Sequence, residues 1–377
     1  MDFLGNVGTW GGWLTGYVVP FLFVLTIVVF FHELGHFLVA RWCGVRVMTF
    51  SVGFGPELLG FNDKRGTRWK LSAIPLGGYV KFFGDENAAS VPDQETIKDM
   101  SETDKRDSFF HKTVGQRAAV VAAGPIANFI LAIVIFATVF TLYGKPATPA
   151  RVDTVQPDSA AQSAGFQQGD LIVAINGKKI ETFTDMQRLV STSAGETLSI
   201  EVDRGGARQT LKATPKMTEI KDNFGNVHRM GVLGITGARG EPVKVDPLTA
   251  VKLGVEETWF VVERTLSYIG GVVVGKESAD QLGGPIRIAQ VSGQVATAGF
   301  VALIHLAAVL SISIGLLNLF PIPLLDGGHL MFYAFEALRG RPLSERAQEY
   351  GFRFGLAFVL LLMLFATYND LLHLFRL

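Results

Sequence analysis

The sequence predicts a multi-span α-helical membrane protein, with four transmembrane helices, a membrane-associated β element and one inserted α/β domain. Three observations carry this. Of 377 residues, 49% are hydrophobic and only 18% charged, against about 25% charged in ordinary soluble domains. Four apolar windows, residues 18–42, 117–143, 298–320 and 352–375, are each long enough to cross a bilayer as a helix. Between the second and third lies a long stretch of soluble composition. Lysines and arginines balance aspartates and glutamates, so nothing favours nucleic acid as a partner.

In chain order, residues 1–44 hold the first transmembrane helix. Asp2 is the only charge before His32, so a basic signal-peptide n-region is missing and the helix reads as retained. Residues 45–116 read as a cytoplasmic, membrane-associated β segment and loop. Residues 68–86 hold strand-like runs on either side of the turn signal Pro75-Leu76-Gly77-Gly78 and, with the run at 50–59, suggest a small sheet, while 85–107 is acidic and polar enough for a flexible loop. Residues 117–144 form the second transmembrane helix and 145–237 the inserted domain. Residues 238–297 form an amphipathic helical connector. Within it, 259–275 places Glu263 and Arg264 among apolar residues at helical spacing, which suits a helix on the membrane surface. The third transmembrane helix takes 298–330, a cytoplasmic link 331–351 and the fourth transmembrane helix 352–377. Arg41, Arg46, Lys112 and Arg117 border one loop, and Arg339, Arg341, Arg346 and Arg353 the other. Both loops should be cytoplasmic, leaving the N-terminus and the inserted domain outside.

The run Phe30-Phe31-His32-Glu33-Leu34-Gly35-His36 sets three ionisable groups inside an apolar helix, where such groups mark function. His32 and His36 are four apart and share a helix face, so they can grip one Zn2+ ion, while Glu33 is placed as a general base. This is the HExxH arrangement of zinc metalloproteases. A catalytic zinc needs a third ligand and an open position. The stretch Ser313–Leu330 offers Asn318, Asp326 and His329 around a helix broken by Pro321 and Pro323, and spacing alone leaves the choice open. Lone His305 suits a helix-to-helix hydrogen bond. A single cysteine, Cys43, excludes an intramolecular disulfide and a multi-cysteine metal site.

Two resemblances extend the reading. The run Ser159-Ala-Ala, Ala164-Gly165-Phe166, Gly169-Asp170, Ile175-Asn176-Gly177 resembles a PDZ domain of the bacterial type, which implies peptide recognition by strand addition; Gly231–Ile235 is its expected closing strand. The HELGH run with Asn318-x-x-Pro321-x-Pro323-x-Leu325-Asp326-Gly327, and the runs at 122–132 and 282–289, resemble the site-2 protease family of intramembrane zinc metalloproteases, in its regulator-of-sigma-E branch. That resemblance implies His32, His36 and Asp326 as zinc ligands, Glu33 as catalytic base, and Asn318 as a substrate or oxyanion contact. It implies a bacterial inner-membrane location and transmembrane substrates of two kinds, anti-sigma-factor-like proteins after a first cut and signal-peptide remnants. Several relatives carry tandem PDZ domains, whereas this chain has room for one. An unwound substrate needs a sheet edge to pair with, and the candidates are Gly53, Phe54 and Gly55, and Gly78 and Tyr79. The PDZ-like domain would hold a peptide C-terminus or exclude a bulky external domain. The rival readings are a zinc-dependent membrane chaperone and a PDZ scaffold without proteolysis; the intact base and ligands favour the protease.

Overall fold

The computed structural model describes residues 14–85, 100–145, 149–221, 227–237, 242–279 and 282–376. It divides into two compact units, residues 1–138 with 250–376, and residues 139–249.

In the first unit, four helices are long and apolar enough to cross a membrane: Thr15–Trp42, Val114–Tyr143, Phe300–Asn318 and Arg346–Leu372. The four expected spans are therefore present. The first contains α1 (Val19–Trp42), with a proline in its opening turn, and a π-helical turn, Leu14–Val18, leads directly into it. Two long strands follow, β1 (Val47–Asn62) and β2 (Arg68–Phe82). Both bend, so the pair builds a four-segment sheet. Residues 47–52 pair with 78–82 and residues 57–62 with 68–72, while Thr49 to Val52 also lie opposite Arg68 to Leu71. Gly53 (φ 89°) and Gly55 (φ 83°) make the bend in β1, a conformation glycine adopts without steric cost. The sheet packs on α1 through Phe37, Ala40, Phe50, Val80 and Phe82. Segment 78–82 is thereby left as an outer edge.

The acidic stretch 85–107 differs from the loop expected only at its two described ends. Residues 86–99 lie outside the described residues. Asp85, however, is buried and accepts the Phe82 backbone N–H at 2.7 Å, and α2 (Glu102–Asp107) is a helix capped by Ser101. The Ser-x-x-Asp signature at 101–104 stops an orphan N–H from going unpaired. The second span is α3 (Val114–Tyr143).

The second unit carries the inserted PDZ-like fold. In chain order it has β3 (Val152–Val155), α4 (Ala160–Ser163), β4 (Leu171–Ile175), β5 (Lys178–Lys179), α5 (Phe183–Thr192), β6 (Leu198–Arg204), β7 (Ala207–Ala213), β8 (Lys216–Lys221), β9 (Val227–Val232) and β10 (Ile235–Gly237). One sheet runs β5-β4-β6-β7, with β10 on β3 and β8 on β9 as separate pairs. Ile172 and Ile175 of β4 and the alternating Leu198, Ile200 and Val202 of β6 meet Phe183 and Met186 of α5 in the core. A reciprocal capping box between Thr182 and Asp185 starts α5. The closing segment 231–235 is split by a turn at Gly234 (φ 81°), and β10 then closes on β3. At the base, Lys145 and Val243 exchange two backbone hydrogen bonds of 2.9 Å, so the entering and leaving chains run side by side.

Within this unit, fully buried Asp170 accepts from Arg204 at 2.7 and 2.8 Å. Burial alone would raise the Asp170 carboxyl. The Arg204 guanidinium and the Gln167 N–H outweigh it and hold the group below the usual carboxylate range. A carboxyl lowered in the folded state stabilises above its unfolded pKa and loses that contribution as pH falls through the lowered value. Arg204→Ala should therefore destabilise the domain by about 2 kcal/mol at neutral pH, with the gap to wild type closing in strong acid. Amide exchange on β4 and β6 at several pH values measures this.

Beyond the insert, α6 (Pro247–Val273) starts well before the predicted amphipathic window. Its Gly254 abuts the Ile133 carbonyl of α3, where a Cβ would come within 2.9 Å, so part of the connector packs on a span rather than lying free. Then α7 (Pro285–Thr297) packs against α1 and α8 (Phe300–Asn318). Its first N–H groups are taken by Asp370 of the last helix, α10 (Glu345–Arg376): Gly284 at 2.8 Å, Ile286 and Arg287 at 3.1 Å. A carboxylate at a helix N-terminus satisfies orphan donors and the macrodipole together.

After α8 the chain breaks at the paired prolines, and the stretch read as a link from residue 331 is helical as far as Arg339. α8 stops at Asn318, Pro321 and Pro323 carry the chain round, and α9 (Asp326–Arg339) begins at Asp326. Side chains at Gly327 and Gly328 would collide with the carbonyls of Leu319, Phe320 and Ile322. The paired glycines let the reversal close tightly enough to bring Asp326 inward.

Candidate metal centre

His32 and His36 sit one turn apart on α1, with their Nε2 atoms 3.3 Å from each other. Asp326, at the start of α9, places Oδ2 3.2 Å from His32 Nε2 and Oδ1 3.6 Å from His36 Nε2. These three residues form a group able to hold a metal ion, with all ligand atoms within 4.8 Å of one another. Tetrahedral zinc with bonds of about 2.1 Å requires donors about 3.4 Å apart, and the observed spacings bracket that value. Asp326 Oδ2 is buried and, among the described residues, makes no hydrogen bond beyond its 3.2 Å contact with His32 Nε2. A buried carboxylate oxygen without further partners is costly unless a cation completes it. The donor set fits zinc.

Each histidine is also held by its other ring nitrogen, the usual way of fixing a ligand's orientation. His36 Nδ1 lies 2.9 Å from the Val120 carbonyl, and His32 Nδ1 lies 3.3 Å from the Asn128 side chain. Val120, Gly124 and Asn128 follow at intervals of four along α3, so one face of that helix backs the site. At Gly124, a Cβ would come within 2.9 Å of His32 Cε1 and would overlap the His36 ring. Likewise Gly35 allows α1 to touch the Ala123 carbonyl. Gly124→Val is therefore expected to push both imidazoles out of register and lower zinc affinity by about 10–100-fold, which chelator competition on the purified chain reads directly.

A cavity of about 550 Å³ opens on these three residues and is also lined by Glu33, Gly78, Tyr79, Val80, Asn318, His329 and the Arg117–Glu336 pair. Glu33 stands against the outer edge of the sheet: a Cβ at Gly78 would lie 3.0 Å from its Cγ. Of the sequence candidates, the structure brings together His32, Glu33, His36, Asp326, Asn318, Gly78 and Tyr79. Gly53, Phe54 and Gly55 are not among the lining residues. Segment 49–52 is paired on both sides, and Phe54 instead stacks on Tyr79, ring centroids 6.0 Å apart. His329 contacts Phe352 (5.3 Å) and stands outside the three-residue group able to hold a metal ion. His305 meets Phe136 across α3 and α8. Val120, Gly124 and Asn128 carried no assigned role in the sequence. The available signal was one polar Asn in an apolar span, four residues after a glycine.

Comparison with known proteins agrees with this chemistry. The model of Peptidase family M50 matches residues 20–362. A protein of Agrobacterium fabrum named as a zinc metalloprotease is 54% identical over 96% of this chain and 97% of its own. One of Rhizobium meliloti, similarly named, is 51% identical over 95% and 97%. Metalloprotease MmpA of Caulobacter vibrioides is 41% identical over 94% and 95%. Among solved structures, the PDZ domain of an SdrC-like protein from Listeria monocytogenes matches 23% of this chain and 84% of that one, at 22% identity and a TM-score of 0.19. With a family match spanning nearly all the membrane-embedded helices, the chain belongs to peptidase family M50 and is a multi-pass membrane zinc metalloprotease.

Proposed function

We propose that this protein is an intramembrane endopeptidase that cuts single-span membrane proteins within or beside their apolar segment. The observation that carries the proposal is the shared cavity: ligand set, Glu33 and an outer strand edge face one space beside membrane-spanning helices. Zinc, when bound, acidifies water to a pKa near 7 and polarises a carbonyl. His32, His36 and Asp326 would hold it. Glu33 takes the proton of the attacking water on its carboxylate and returns it to the leaving amide nitrogen. Asn318 offers an amide to the substrate carbonyl.

A substrate helix must unwind before it can be cut, which frees backbone groups that lipid cannot satisfy. The edge at 78–82 supplies N–H and C=O partners beside Glu33, so the unwound stretch pairs there as an added strand. Gly78 keeps that edge bare. Substrates with helix-breaking residues near the cut lose less structure and should be preferred. Anti-sigma-factor-like proteins that have already lost their external domain, and signal-peptide remnants, have the required form. The inner bacterial membrane is the proposed location, with N-terminus and PDZ-like domain on the outer side, as the arginines bordering the other two loops indicate.

The PDZ-like domain holds none of the groups in the cavity and acts as a filter, excluding substrates with bulky external domains. Because its two connections run side by side at Lys145 and Val243, residues 147–241 can be replaced by a short linker. This variant should keep its zinc and cut a pre-trimmed substrate, while losing discrimination against the untrimmed form. A folded, zinc-loaded variant that cuts neither would show that the domain delivers substrate.

A further inference from the structure

Asn128 lies in the middle of α3, is fully buried and touches His32. Its position is locked from the other side. Its backbone carbonyl accepts Ser311 Oγ of α8 at 2.9 Å, and Gly315 allows α8 so close that a Cβ there would sit 3.1 Å from Asn128 Cβ. Three helices therefore meet at one amide. That amide is half-satisfied: Nδ2 faces His32 Nδ1 at 3.3 Å, while Oδ1 is buried with no hydrogen-bond partner among the described residues.

The direction of this contact decides what His32 can do. With Nδ2 donating, His32 Nδ1 carries the lone pair, and the ring proton of neutral imidazole sits on Nε2, aimed at His36 and Asp326. A ligand nitrogen needs the reverse, a lone pair on Nε2 and the proton on Nδ1. Turning the amide by 180° changes no shape. It puts Oδ1 against Nδ1–H and frees the Nε2 lone pair, while Nδ2 takes the place that Oδ1 held.

We propose that Asn128 is a positioning residue that turns its amide oxygen to His32 Nδ1–H in the metal-loaded protein and so fixes His32 as an Nε2 ligand. The proposal rests on the reading of His32 as a zinc ligand. On the same helix the Val120 carbonyl holds His36 Nδ1 at 2.9 Å, so α3 presents one acceptor to each histidine. The backbone acceptor is set by the helix, whereas the side-chain acceptor is set by residue choice. Asn128 is thus the point at which a substitution can change the site without touching a ligand.

The test compares Asn128→Leu, which keeps the shape and removes the acceptor, with Asn128→Asp, which offers acceptors only. Zinc affinity is measured by chelator competition on the full chain in detergent, with His32→Ala alongside. Asn128→Leu should weaken binding by about 10–100-fold and Asn128→Asp by no more than about threefold. Wild-type affinity in a folded Asn128→Leu, while His32→Ala loses zinc, overturns the positioning role alone. Undiminished zinc in His32→Ala overturns the ligand reading and the proposal with it. Should Asn128→Leu fail to fold, histidine nitrogen NMR on the zinc-loaded wild type decides. His32 must show a protonated Nδ1, and ligation through Nδ1 refutes the proposal.

Discussion

Glu33→Gln is expected to keep about one zinc per chain while lowering turnover by roughly 10²–10⁴-fold. Glutamine has nearly the volume and shape of glutamate, so the packing of the Glu33 stem against Gly78 survives. What disappears is the capacity to hold a proton between two steps, its removal from water and its delivery to the departing nitrogen. The three-residue ligand group does not include Glu33, so metal content and chemistry should separate cleanly. Metal analysis beside cleavage of a fluorogenic transmembrane substrate checks both halves. Wild-type turnover in a zinc-loaded variant would remove Glu33 from the mechanism.

Asp326→Ala is expected to strip the metal, by well over about 100-fold in affinity, since replacing even an outer-shell partner costs 10–100-fold. Asp326 is the anionic member of the set and reaches both histidines, at 3.2 and 3.6 Å. Without it, two imidazoles one turn apart remain, which is too few donors for a catalytic site. His36→Ala should behave alike, and both variants should cleave at background. Because Asp326 opens α9, helix content by circular dichroism must accompany the metal measurement. Undiminished zinc in both folded variants would refute the assignment.

The parts of this site legible in the sequence are those that depend on local geometry. His32, Glu33 and His36 lie within one helical turn, so helical spacing alone places them together. Asp326 comes from a distant segment. Spacing left it level with His329, and only the family pattern separated them. Val120, Gly124 and Asn128 were illegible because their roles follow from where α3 crosses α1. The sheet shows the same limit. The strand-like runs and the turn signal at 75–78 that divides the second strand were visible, but the bend at Gly53–Gly55 that divides the first depends on tertiary pairing. That division decides which edge is open: 78–82 faces the cavity, and Phe54 is turned onto Tyr79 instead. Asp370, one acid in an apolar span, likewise gained meaning only when α7 was seen to start against it.

The most direct test of intramembrane zinc proteolysis is the mass-spectrometric position of the cut. The zinc-loaded full chain is reconstituted in lipid vesicles with a single-span substrate already trimmed of its external domain. Cleavage is predicted inside the substrate's apolar segment, abolished by chelation and by Glu33→Gln, and restored by zinc only in the wild type. Cuts confined to water-exposed flanks, or unchanged after zinc removal, would contradict it.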